Sequence, residues 1–287
     1  MIVVHGGAGP VAPERADRMR AGVRAAAAAG NNLLLRGGSA LDAVVAAVRV
    51  LEDDPEFGAG VGSALTRDGT IETCASVMDG ATRRVGAVAA VPDLATPVIV
   101  ARAVLEIGEH ALIAGAGTAR FAQEIGIQAA APGALVTPRA QQQLAAAKGK
   151  PFSQGGGVGA VARDRNGNLA AATSTGGAVF RRAGDVDDAA VPGVGTWADD
   201  QFAISTSGGE VIFRVTLAHD IAKRAQHGGA RAAMKAALTE LKKLAPDSIA
   251  GAIAVGKDSW AALQIGPAMP VAWVDDFGPN DSIGFPL

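Results

Sequence analysis

The chain of 287 residues can bury a substantial core in one large domain or two small ones; it is 49% apolar and 19% charged, with 4% aromatics and no Tyr. A net charge of −2 excludes an electrostatic footprint for nucleic acid or an anionic membrane surface. A single cysteine, Cys74, excludes an internal disulfide framework, and scattered histidines without paired Cys or Glu argue against zinc.

No basic or long apolar leader opens the chain, and no run approaches the ~20 apolar residues of a membrane span, so a soluble cytoplasmic protein is expected. Ile2, Val3 and Val4 predict a buried strand opening into His5-Gly6-Gly7-Ala8-Gly9. That run reads as a plain tight turn or as a loop whose amides approach a ligand. Residues 13–30 predict a helix with Pro near its start. In a second helix Ser39 precedes Asp42 by three residues, as in a capping box, and Leu41, Val44, Val45, Val48 and Leu51 form one apolar face. Glu52-Asp53-Asp54-Pro55 ends it.

Phe57-Gly58-Ala59-Gly60-Val61-Gly62 follows a helix rather than a strand and is no dinucleotide loop. Residues 63–66 and 70–76 around Asp68-Gly69 predict a hairpin, and 84–91 a further strand. A helix over 95–107 and a strand over 111–114 lead to Gly115-Ala116-Gly117, where Arg120 spoils the third glycine of a nucleotide fingerprint. Residues 128–156, with Pro132, Pro138, Pro151 and a Gln triplet, predict a linker with a short helical piece.

Two runs of small and β-branched residues flank Asn166-Gly167 and predict a hairpin, with Gly157 at a sheet edge where it begins. An acidic loop follows at Gly184-Asp185-Val186-Asp187-Asp188. Two short strands, a helix opened by Gly208-Gly209-Glu210 and ending at Gly228, a helix over 230–244 and three strands complete the chain. The order predicts a single α+β domain of facing antiparallel sheets with helices outside.

These stretches in this order resemble the isoaspartyl peptidase/plant-type asparaginase family of N-terminal-nucleophile hydrolases. The resemblance runs through Val4-His5-Gly6-Gly7-Ala8-Gly9, Gly38-Ser39-Ala40-Leu41-Asp42, Leu65-Thr66-Arg67-Asp68-Gly69, Gly159-Ala160-Val161-Ala162 and Thr173-Ser174-Thr175-Gly176-Gly177. It implies a four-layer αββα sandwich, hydrolysis of β-aspartyl amide bonds, a small-molecule or dipeptide ligand and a homodimer. It also implies autocleavage into subunits covering 1–156 and 157–287. A threonine freed at the cut attacks the amide, with its own α-amine as base.

Here the departures matter. The nucleophile position is Gly157, and the family's Phe-Asn-Ala-Gly is Phe57-Gly58-Ala59-Gly60. Asp185 stands where an arginine grips the substrate carboxylate, losing a charge-assisted bond of about 1.5–3 kcal/mol, while Asp188 keeps the acid that holds the substrate amine. Thr175 matches the supporting threonine, and Ser207 and Gly208 match the oxyanion-hole pair, with Thr206 as an alternative hydroxyl. Local strand hydrogen bonding is the other reading of Thr173, Ser174 and Thr175. A structural sodium ion would map to the carbonyls of Leu51, Glu52, Asp54, Phe57, Ala59 and Val61; no organic cofactor is expected.

Three functions follow. The chain is an inactive hydrolase scaffold, a diverged relative whose cleft takes a cationic or amine-bearing ligand or a partner, or a hydrolase with a displaced nucleophile such as Ser153, Thr173 or Thr175.

Overall fold

The computed structural model describes residues 1–148 and 156–287. The first part contains β1 (Ile2–His5), α1 (Pro13–Leu35), α2 (Ala40–Glu52), β2 (Glu72–Asp79), β3 (Val85–Pro92), α3 (Pro97–Ile107), β4 (Leu112–Ala114), α4 (Ala116–Glu124) and α5 (Pro138–Ala147). The second contains β5 (Val158–Arg163), β6 (Leu169–Thr175), β7 (Thr196–Ala198), β8 (Phe202–Ser207), α6 (Glu210–Phe213), α7 (Leu217–Leu244), β9 (Ala250–Gly256), β10 (Trp260–Ile265), β11 (Val271–Asp275) and β12 (Gly278–Ser282).

One sheet has the order β12-β11-β1-β5-β6-β2-β3-β4, and the other β10-β9-β8-β7. Pairing is antiparallel except between β3 and β4. Helices α1 to α3 cover the outer face of the larger sheet and α7 that of the smaller, giving an αββα sandwich.

Strand alternation sorts the side chains into these layers. Along β5, Val158, Ala160 and Ala162 join the core under α1 to α3, whereas Val161 joins the core between the sheets. Along β8, Ile204 packs under α7 while Ala203 faces the other sheet. At one end the inter-sheet space is apolar, filled by Val3, Val161, Ala171, Ala203 and Ile253. Farther along it turns polar. His5 Nε2 lies 2.9 Å from Ser205 Oγ, Ser205 Oγ 2.7 Å from Thr173 Oγ1, and Thr196 Oγ1 donates to Thr173 Oγ1 at 2.6 Å. Thr173 Oγ1 donates in turn to the Gly195 carbonyl at 2.9 Å, so this buried hydroxyl layer is internally satisfied.

Several sequence expectations change. Residue 157 is not at an edge: β5 lies between β1 and β6, in the middle of the larger sheet. Residues 63–66 form no strand; one backbone bond from Thr66 N to Thr70 O closes a turn before β2. The Asn166-Gly167 hairpin closes through Asp164 N to Asn168 O, with Gly167 in the left-handed region at φ +82° and the Asp164 carboxylate accepting from Asn166 N and Asn168 N. The capping box forms as expected, with Ser39 and Asp42 exchanging backbone bonds. Helix α1 runs five residues beyond Gly30 because Asn31, Asn32 and three leucines carry no breaker until Gly37. Strand β12 has no alternating apolar signal and forms by pairing with β11.

Glycine at 159 is a condition of this packing. A β-carbon there would overlap Ser205 Oγ and approach His5 Nε2 to 2.6 Å. Gly159→Ala is therefore expected to destabilise the chain by about 1–3 kcal/mol, measured by urea unfolding; an unchanged midpoint contradicts this account of the inter-sheet layer.

Candidate functional site

Beyond the hydroxyl layer, the end of β5 meets the loop after β1, the segment after α2, the end of β6 and the end of β8. Gly157, the nucleophile position by resemblance, sits there against backbone. A β-carbon on it would lie 2.7 Å from the Ser174 carbonyl oxygen, 3.0 Å from Thr175 Cβ and 3.4 Å from Thr175 Oγ1. One on Gly58 would lie 2.8 Å from the Gly156 carbonyl oxygen, and one on Gly7 2.9 and 3.0 Å from the carbonyls of Gly157 and Gly156. Neither Gly58 nor Gly157 has positive φ, so space rather than backbone conformation calls for glycine at both. The Gly156 carbonyl thus fills room that a side chain at 58 would need, and the Ser174 carbonyl crowds one at 157.

The other site residues gather around this contact. Thr175 is buried and its Oγ1 accepts from Gly177 N at 2.9 Å. Ser207 Oγ accepts from Ala8 N at 3.0 Å, so β8 and the loop after β1 meet at the site. Thr206 points the other way, donating to the Val194 carbonyl at 2.8 Å, as strand alternation requires. Gly208 follows β8 directly, packed on Ile212 and Ala250. The glycine loop's amides are engaged inward: Gly6 N to Pro270 O, Gly7 N to His5 Nδ1, Ala8 N to Ser207 Oγ and Gly9 N to Ala268 O. Of the two readings of that loop, the inward bonds of these four amides favour the plain tight turn over ligand-facing amides.

On the acidic side, Asp188 is buried and Asp185 half-buried. Burial and then the charge of Asp187 push both carboxyls above the usual range, Asp188 well above it. Burial, followed by Asp185 and Asp187, raises Glu210 as well. Asp188 is held by the Ala189 and Gly209 amides, which ties the acidic loop to the segment after Gly208. Arg181 is fully buried, its Nη1 donating to the Gly176 carbonyl at 2.8 Å directly behind Thr175.

The segment Leu51, Glu52, Asp54, Phe57, Ala59 and Val61 curls beside this contact, and Gly176 N donates to the Gly58 carbonyl at 2.7 Å. Within the curl, the Glu52 and Phe57 carbonyls lie against Gly60 and Gly62, where β-carbons would overlap them. Glu52 contributes more than its backbone. Its Oε1 accepts from Ser174 Oγ at 2.6 Å and Val98 N at 3.0 Å, and burial raises its pKa to about 8. The sequence reading missed this side-chain role, because a helix-ending Glu-Asp-Asp-Pro looks like a solvated terminus. It also missed Ser207's bond to Ala8, which needs the tertiary register.

Of the displaced-nucleophile candidates, Thr173 and Thr175 are both buried. Thr173 Oγ1 is buried and donates to a carbonyl, and Ser153 lies outside the described residues. The chain's α-amine, on Met1, donates to the Arg163 carbonyl at 3.0 Å, at the far end of β5 from Gly157.

A family model described as asparaginase matches residues 1–276. The chain belongs to this family. It is 41% identical over 297 aligned residues to isoaspartyl peptidase/L-asparaginase of Bos taurus, covering 99% of this chain and 96% of that protein. It is similar to isoaspartyl peptidase of Salmonella typhimurium, 40% over 284 residues (92% of this chain, 91% of the relative), and of Escherichia coli, 38% over 284 residues (92% and 88%). No helix among the described residues is long and apolar enough to cross a membrane.

His5 gives the site a pH signature. Gly7 N donates to Nδ1, so Nε2 carries the proton toward Ser205, and burial lowers the pKa from 6.5 to about 3. The unfolded chain gains a proton near 6.5 that the folded chain refuses until about 3, so stability falls as pH drops through this window. The loss is at most about 1.4 kcal/mol per pH unit. The unfolding free-energy difference between the unmodified protein and His5→Gln is expected to shrink from pH 7 to pH 4; a constant difference contradicts the assignment.

Proposed function

We propose that this chain keeps the isoaspartyl peptidase scaffold but neither cuts itself nor hydrolyses β-aspartyl amides by the N-terminal threonine route. It would then be a pseudoenzyme whose cleft binds a ligand without turning it over. The observation that carries this reading is glycine at 157, seated against the Ser174 carbonyl.

The threonine route needs a side-chain oxygen at this residue twice. It first attacks the preceding carbonyl in an N→O acyl shift, and after cleavage it attacks the substrate amide with the freed α-amine as base. Glycine offers a hydrogen for both steps. The remaining groups would support such an oxygen but cannot replace it: Thr175 beside it and Ser207, which accepts from Ala8 N, are internal residues with no free α-amine to serve as base. Gly58 and Asp185 weaken the substrate site further, the latter by setting a carboxylate where a substrate carboxylate would be gripped.

The raised carboxyls of Asp185, Asp188 and Glu210 favour a second statement about the ligand. A cationic or amine-bearing group would relieve their mutual repulsion, whereas a carboxylate set against these acids would bind poorly. A sodium ion, if bound by the carbonyls of Leu51, Glu52, Asp54, Phe57, Ala59 and Val61, would pin the loop that carries Gly58 and take no part in bond making. A cytoplasmic homodimer belongs to the same proposal, by likeness to the family.

Intact-mass analysis of fresh protein is expected to give one chain of 28.6 kDa, with no hydrolysis of β-aspartyl dipeptides or asparagine. Gly157→Thr is expected to restore neither cleavage nor turnover, since its β-carbon meets backbone. Fragments meeting at the 156/157 bond, or turnover by the unmodified protein, overturn the reading.

A further inference from the structure

We propose that the cavity between α1, the glycine loop after β1 and α5 binds the carboxylate of a ligand of amino-acid or dipeptide size, gripped by Arg15 and Arg139. The cavity measures about 420 Å³ and is lined by these two arginines together with Gly7, Gly58, Gly156 and Gly177. That volume lies in the ~300–1,000 Å³ range of small-molecule sites. It adjoins the 156–157 contact through Gly7, Gly58 and Gly156.

Charge supplies the chemistry. Arg15 pairs with the Glu56 carboxylate and donates from Nη2 to the Glu56 carbonyl at 3.1 Å. Arg139 Nη1 donates to the carbonyls of Glu56 and Pro55 at 3.0 and 3.2 Å and stands 3.7 Å from the same carboxylate. Two guanidinium groups therefore share one acid, while the neighbouring Asp54 is paired with Arg18 at 2.7 Å. Burial, then the charge of Arg15, lowers the pKa of Arg139. Their side chains keep 31% and 35% of their surface exposed, enough to meet a ligand. The loop amides of residues 6–9 are turned inward, so the charged donors lining the cavity are the two arginine forks, beside Gln143 and the shared acid Glu56, and their planar geometry suits a carboxylate.

Helix α5 holds Arg139 in place. Thr137 caps it through Ala140 N at 3.1 Å, and Ala140 is buried against Leu65 and Ile71 with Leu144 beside them. In a chain that cut itself after 156, this segment would become a tail. The site therefore rests on the proposed uncut chain.

The test is calorimetric titration of the full chain with N-acetylglycine, N-acetylglycinamide and inorganic phosphate, intact mass being checked on the same sample. N-acetylglycine is expected to bind at least ten-fold tighter than its neutral amide. Arg139→Gln should weaken it ten-fold or more, Arg139→Lys by an intermediate factor, and the exposed Arg36→Gln not at all, with thermal midpoints reporting that each variant folds. If Arg139→Gln fails to fold, Arg139→Lys and the acid-to-amide discrimination of the unmodified chain carry the test. No binding of N-acetylglycine at about 10 mM, equal binding of the amide, unchanged affinity in the Arg139 variants, or phosphate bound as tightly overturns the site. Cut chain by mass overturns the uncut reading instead, so the two failures are distinguishable.

Discussion

The structure depends on how closely backbone approaches backbone between and beside its sheets. Small residues make that approach possible: alanines along β5, β6 and β9, Gly159 under Ser205, and Gly7, Gly58, Gly156 and Gly157 at the site. Larger side chains fill the helix-facing layers, where α2 and α7 supply Val, Leu and Ile, and the apolar part of the inter-sheet space, with Val3, Val161, Leu169 and Ile253. With 4% aromatics, rings are few, and Trp260, Trp273 and Phe285 stack together against the inter-sheet core. Interiors packed this way tolerate little added volume, because backbone atoms cannot rotate aside as side chains do.

The same constraint shapes function. In a family whose chemistry places a side-chain oxygen at the start of β5, this chain carries a glycine and lets neighbouring backbone close on it. The change at 58 is matched to it in space, since the Gly156 carbonyl stands where a side chain at 58 would begin. A lone exchange of one catalytic residue would leave such a pocket open. Here the surroundings fit the glycine, which argues that 58 and 157 form one packing unit. On the proposed reading, the acidic loop offers a ligand carboxyl groups and the Arg15–Arg139 pair offers it guanidinium donors.

Much of the layering was legible in the sequence because it is written in local patterns. The capping box at Ser39 and Asp42 and the i, i+3, i+4 face of α2 needed no tertiary information, and the Asn166-Gly167 turn located β5 and β6. The site was legible only as positions. Motif order pointed to 157, 175, 185, 188 and 207, but whether Thr206 or Ser207 faced the site depended on the strand register of β8. The carboxyl of Glu52 looked like a solvated helix end and is buried because α3 donates Val98 N to it. Arg139 sat in a stretch that reads as linker, and its partners, the carbonyls of Pro55 and Glu56, lie more than eighty residues away. Long-range backbone acceptors leave no periodic trace.

The most direct measurement is the unfolding free energy of Gly58→Ala. Residue 58 has an ordinary φ, so alanine adds no backbone strain and only a methyl facing the Gly156 carbonyl at 2.8 Å. Closure of the cleft by the uncut chain predicts a loss of about 1–3 kcal/mol. A variant as stable as the unmodified protein, or more so, would show that space at 58 is free and would contradict the account.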